Sequence, residues 1–119
     1  MPANRKKSHP ELSPAALALI ASRFKILADP TRLSLLHALH EGELTVGTLV
    51  ERTGGNQANV SKHLSLLTSA GMVARRRENN FVHYSVADPV VFELCEMVCS
   101  RMANHFQDRA EMLTATRRK

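Results

Sequence analysis

A mainly α-helical fold carrying one small β-hairpin is what this sequence predicts, on three observations. Aromatic residues make up only 4% of the 119, and Trp is absent, so the core has to be aliphatic. Leu, Ala, Val and Met recur at helical spacing through most of the chain. Only Met72 to Val86 departs from that spacing, where the runs MVARRR and FVHYSV flank ENN. With 44% hydrophobic residues the chain holds enough apolar surface for one compact core. Residues 13–114 are predicted as that single domain, between basic tails at 1–12 and 115–119.

Each element carries its own start and stop signals. Ser13-Pro14 opens the first helix, with a hydroxyl N-cap and Pro at the first helical position. Leu17, Ile20, Phe24 and Leu27 form its apolar stripe, to about residue 28. Asp29-Pro30 repeats the signal for a short second helix bearing Leu33, Leu36, Ala38 and Leu39, which Gly42 ends. Thr45 caps a third helix with Val46, Leu49 and Val50, stopping at Gly54-Gly55, where left-handed backbone costs little. Asn56 caps a fourth, in which Val60, Leu64 and Leu67 point inward and Gly71 closes the helix. The two β-rich runs then make a two-stranded hairpin, its turn built on asparagines that tolerate positive φ.

Asp88-Pro89 restarts a helix running to about Leu113. Its broad apolar face comprises Val91, Phe92, Leu94, Cys95, Val98, Cys99, Met102 and Phe106. Such a face exceeds what one small domain covers, and a homodimer packed on the first and last helices is the expected remedy.

The charge is uneven. Of sixteen Lys and Arg, nine fall in Arg5-Lys6-Lys7, Arg75-Arg76-Arg77 and Arg117-Arg118-Lys119; the formal charge is +5 and the pI about 9.8. Excess positive charge suits a polyanionic partner. No apolar run approaches a membrane span, and the N-terminus lacks the apolar middle of a signal peptide, so a cytoplasmic protein is expected. Two cysteines give no disulfide framework, in keeping with a reducing compartment. No nucleophile, base and orienting group stand at a recognisable spacing, so an enzyme is not expected.

Two short helices joined by a glycine turn and followed by a hairpin form the plan of a winged helix-turn-helix, whose second helix enters a DNA major groove. Opposite the inward residues of that helix lie Ala58, Lys62 and Ser65, flanked by Asn59 and Ser61, with Gln57 in the first turn. An amide there can pair with adenine N6 and N7. Between Gly54 and Arg77 there are four Lys and Arg and no Asp or Glu. An acid in that stretch would face phosphate. Arg75, Arg76, Arg77, Asn79 and Asn80 are the candidate wing contacts to phosphates or the minor groove. The alternative is a winged-helix module that docks protein and is basic only incidentally.

From Phe24 to Val86 the chain resembles the ArsR-type (arsenical-resistance repressor) family of bacterial winged-helix repressors. The resemblance rests on LADPTRL at the second helix, VSKHL with AGMV in the fourth, and RRE with YSV in the wing. It implies a homodimer on a palindromic double-stranded operator, released by an inducer. It also carries base-facing roles onto Gln57, Ala58, Ser61 and Lys62. His63 matches the family's S-x-H-L, but its helical direction lies nearer the core, so a packing role is expected.

The family's metal sites are not repeated here. Thr45 and Gly47 stand where a Cys-x-Cys pair would supply thiolates, and Val90 stands where the last helix would begin Asp-x-His. His105-x-x-Asp108 is displaced by about one turn from a second ligand pair. His37 and His40 lack a third ligand. No resident metal or cofactor is therefore expected. Cys95 and Cys99 share a helical face, either as small fillers of the dimer seam or as a sensor for a metalloid or thiol-modifying inducer.

Overall fold

The computed structural model describes residues 11–117. The clusters Arg5-Lys6-Lys7 and Arg118-Lys119, and most of the expected tail at 1–12, lie outside them. Helix α1 spans Pro14–Leu27, α2 Pro30–Ala38, α3 Val46–Thr53, α4 Gln57–Ser69 and α5 Pro89–Arg117. A 3-10 turn at Leu39–Glu41 follows α2. Three short strands complete the fold: β1 Leu44–Thr45, β2 Val73–Glu78 and β3 Phe81–Val86.

The caps behave as the sequence indicates. Ser13 Oγ accepts from Ala16 N at 3.1 Å, Asp29 Oδ2 from Arg32 N at 3.0 Å, Thr45 Oγ1 from Thr48 N at 3.3 Å and Asn56 Oδ1 from Asn59 N at 2.8 Å. Each satisfies a first-turn N–H that the helix itself leaves free. Asp29 is held below the ordinary carboxyl pKa, chiefly by that backbone bond from Arg32. Gly54 turns the chain between α3 and α4 at φ 74, and Asn79 takes φ 57 at the hairpin tip. At Gly54 a side chain would carry the left-handed penalty.

The expected two-stranded hairpin is instead part of a three-stranded antiparallel sheet of order β1-β3-β2. Leu44 pairs with Tyr84 and Thr45 with His83. A strand of two residues is too short for alternation to reveal; it forms because β3 offers a free edge to the chain leaving the 3-10 turn. The last helix also runs past its expected end at Leu113 to Arg117, taking in residues assigned to the tail.

The core is aliphatic, with one tyrosine. Leu35, Leu36, Leu39, Leu49, Val60, Leu64, Leu67, Met72, Val73, Tyr84 and Val91 are buried. They join α2, α3, α4, the sheet and the start of α5 into one head. Helix α1 buries no residue in it: Leu17, Ile20 and Phe24 are 52%, 38% and 55% exposed.

Helix α5 divides along its length. Val91, Cys95, Val98, Met102 and Phe106 follow one stripe of three-and-four spacing. The first turns lie over the head, so Val91 is buried and Cys95 packs against the core. Past them the helix overhangs, and Val98, Met102 and Phe106 are 56%, 43% and 57% exposed. Val91 is thus covered by its own domain, and Cys95 is half-covered by it. Phe92 likewise stacks on His40, with ring centroids 5.3 Å apart. Among the described residues no helix is long and apolar enough to cross a membrane.

Candidate nucleic-acid interface

Helix α4 presents two unlike faces. Val60, Leu64 and Leu67 have no exposed surface, while Gln57, Ala58, Asn59, Lys62 and Ser65 are all exposed. Ser61 is half-buried, at the edge of the outward face. The first turn holds no acidic residue, so the positive end of the helix dipole stands uncountered. Leu66, 41% exposed, also lies on the accessible surface, off the inward stripe as the helical period places it.

His63 is half-buried, with Nδ1 3.1 Å from Arg32 Nη1. It is engaged with α2, the helix before the pair, and so faces inward as its helical direction indicated.

The three wing arginines are not equivalent. Register places Arg75 opposite Tyr84 and Arg77 opposite Val82, so both share the sheet face of Val73 and Tyr84, the face toward the helices. Both are exposed and make no ion pair among the described residues. Arg76 lies on the other face, where Nε and Nη2 donate to Glu43 at 2.9 and 2.7 Å and Nη1 donates to Glu78 at 2.9 Å. The pairing raises the Arg76 pKa and lowers that of Glu43, through their shared hydrogen bonds. The sequence treated the three as one basic cluster, and Glu43, distant in sequence, gave no sign of its role. Asn79 and Asn80 sit exposed at the hairpin tip.

The resulting surface is an acid-free helix flanked by two free guanidinium groups. It can offer amide, hydroxyl and ammonium groups to base edges, and charge to a phosphate backbone.

The sensor candidates fall elsewhere. Cys95 is half-buried and Cys99 exposed, both as free thiols. Burial, then Cys99 and Glu96, push the Cys95 thiol above its ordinary pKa. Thr45 and Asp88, at family metal-site positions, serve as helix caps here, Asp88 Oδ1 accepting from Val90 N at 3.1 Å. His37 Nδ1 lies 3.5 Å from Glu96 and stacks with His40, while the His105 ring tilts against Phe106. Among the described residues no three His, Cys, Asp or Glu side chains come together as a metal site.

A family model described as "Helix-turn-helix domain" matches residues 27–76. The probable mercury resistance operon repressor of Streptomyces lividans is 48% identical over 71 residues, 60% of this chain and 57% of that protein. The arsenical resistance operon repressor of Escherichia coli K12 is 42% identical over 65 residues, 54% of this chain and 56% of that one. The chain thus spans somewhat over half the length of these two relatives. The solution structure of a homodimeric winged helix-turn-helix DNA-binding domain from Mycobacterium bovis, a possible ArsR-family transcriptional regulator, superposes with TM-score 0.70 at 31% identity. It covers 84% of this chain and 95% of that one. By sequence along the reading head and by fold across nearly the whole described chain, the protein belongs to the ArsR-type family of winged helix-turn-helix transcriptional regulators, which are not enzymes.

Proposed function

We propose that the protein is a dimeric repressor that binds a palindromic DNA operator through α4 and the wing, and leaves it when an inducer binds. The observation that carries this reading is the acid-free exposed face of α4 beside the unpaired Arg75 and Arg77. A second copy packed along α1 and the overhanging half of α5 would cover Leu17, Ile20, Phe24, Val98, Met102 and Phe106. It would also set the two reading helices about 34 Å apart, one turn of DNA. Cys99 lies along the same half of α5, while Leu94 sits half-buried in its first turns.

The test separates base from phosphate contacts by fluorescence anisotropy, with duplexes selected by the protein from random DNA and with unselected duplexes. Gln57→Ala and Lys62→Ala are expected to cost roughly 1–3 kcal/mol on selected DNA and to relax preference at single positions. Arg77→Ala should weaken all duplexes alike and flatten the dependence of affinity on salt by about one charge. Arg76→Ala should flatten it less, because Glu43 and Glu78 already counter that charge. Equal loss on selected and unselected DNA for Gln57→Ala would overturn the placement of α4. Absence of salt-dependent, sequence-preferring binding in the wild type would leave a protein-docking module instead.

For the inducer, we infer a thiophilic ion or a thiol-modifying agent acting at Cys95 and Cys99. Two thiols one helical turn apart are soft donors of the kind such ions prefer, and two relatives bear the names of mercury and arsenical resistance repressors. Cys99 is the reachable thiol. Cys95, its thiolate disfavoured, is tied to the reading head through the core. Replacing both by Ala keeps an apolar surface and is expected to leave operator affinity unchanged while abolishing release by mercuric ion or arsenite. Unchanged release in the double variant would reject the pair as the sensor for that ion.

A further inference from the structure

Two arginines in this chain make bonds that neither the DNA reading nor the core explains. Arg23, on α1, whose Ile26 and Leu27 pack against the core, donates from Nη1 to the carbonyl of Ala70 at 3.0 Å. Ala70 is the C-cap of α4, so the bond occupies one of the carbonyls that a helix end leaves free. Arg32, in the first turns of α2, donates from Nε to the carbonyl of Ile26 in the last turn of α1 at 2.6 Å, while its Nη1 meets Nδ1 of His63 at 3.1 Å. A guanidinium has no acceptor, so Nδ1 must accept and the ring proton sits on Nε2. Helix α4 is therefore fastened to α1 at its C-terminal end directly, and at its middle through Arg32.

Both contacts are charge-assisted and partly buried, the setting in which such bonds hold geometry best. Both residues are half-buried. What they join is the helix that reads DNA and a helix whose apolar side is bare on the single protomer.

We propose that Arg23 and Arg32 form a clamp that fixes the angle and distance of the reading helix relative to α1, and so sets the spacing of operator half-sites the dimer accepts. The inference rests on the dimer proposed above. Both are positioning residues: they act on DNA through the helix they hold. Adding one base pair between half-sites shifts the second by about 3.4 Å and about 34° around the duplex, so a rigid clamp discriminates spacing and a loose one does not.

The experiment uses the full chain and duplexes carrying the inverted repeat that the wild type selects from random DNA. The half-site separation is varied by one or two base pairs either way, and a further duplex carries a single half-site. The wild type is expected to lose about tenfold in affinity or more away from its preferred spacing. Arg23→Met keeps the aliphatic stem and removes the donor. It should flatten that profile to within about threefold and weaken the preferred duplex, with single half-site affinity retained. Arg32→Met should do the same; if it does not fold, Arg23→Met decides alone. A variant that was merely less stable would weaken every duplex in proportion and keep the profile. An Arg23→Met profile as sharp as the wild type's overturns the clamp while leaving the operator reading intact. A wild type that selects no inverted repeat overturns both.

Discussion

Replacing Val98 with aspartate is expected to give monomers and to lower operator affinity by about a hundredfold or more, because two linked half-site contacts exceed one by the effective concentration that links them. Val98 is 56% exposed, between the buried Val91 and half-buried Cys95 and the exposed Met102 and Phe106 of the same stripe. A carboxylate there costs the isolated protomer little, since the site is already wet. In a seam between two copies it would be desolvated beside its own symmetry mate, with no cation on the stripe to pair with. Sedimentation across micromolar concentrations reads the assembly, and anisotropy with the selected duplex reads its consequence. A wild type that sediments as a folded monomer at those concentrations would remove the dimer, and a dimeric Val98→Asp protein would move the interface elsewhere.

Leu64→Ala is expected to cost about 2–5 kcal/mol of folding stability, the range for deleting a fully buried leucine side chain. Leu64 has no exposed surface and lies in the middle of the inward stripe of α4, between Val60 and Leu67. A cavity there cannot be filled by solvent, and the surrounding leucines of α2 and α3 are themselves anchored. For a domain of this size the change corresponds to a drop in Tm of roughly 4–8 °C per kcal/mol. Ser65→Ala, one position on and facing out, should move stability by less than about 0.5 kcal/mol. The contrast is measured by urea unfolding at one fixed protein concentration, since assembly also contributes to apparent stability. Similar losses at both positions would mean that α4 is rotated from the orientation described.

Much of the reading head was legible because its signals are local. An N-cap hydroxyl or carboxylate, Pro at the first helical position and Gly at the end act within one turn, so Ser13, Asp29, Thr45 and Asn56 marked helix starts that the structure keeps. The inward direction of Val60, Leu64 and Leu67 followed from helical period alone. The candidate DNA face followed from their opposites, together with the missing acids.

What escaped the sequence was pairing between distant residues. Strand β1 was invisible because two residues carry no period, and it exists only where the edge of β3 receives it. Arg76 differs from Arg75 and Arg77 because strand alternation turns it to the side where Glu43 lies. The stripe of α5 reads as uniform from Val91 to Phe106, yet its first part is covered by the head and its second part is bare. Period shows which residues share a side, and cannot show where along a helix the rest of the domain stops.

By itself, then, the sequence determined the order and starts of the helices, the inward direction of α4 and the family resemblance, since these follow from capping, periodicity and contiguous motifs. The tertiary structure alone decided which wing arginine is already neutralised, which half of the last helix is left exposed, and that Arg23 and Arg32 tie α4 to the first helix. Those outcomes depend on distances between groups far apart in the chain, and such distances exist only once the core has brought the elements together.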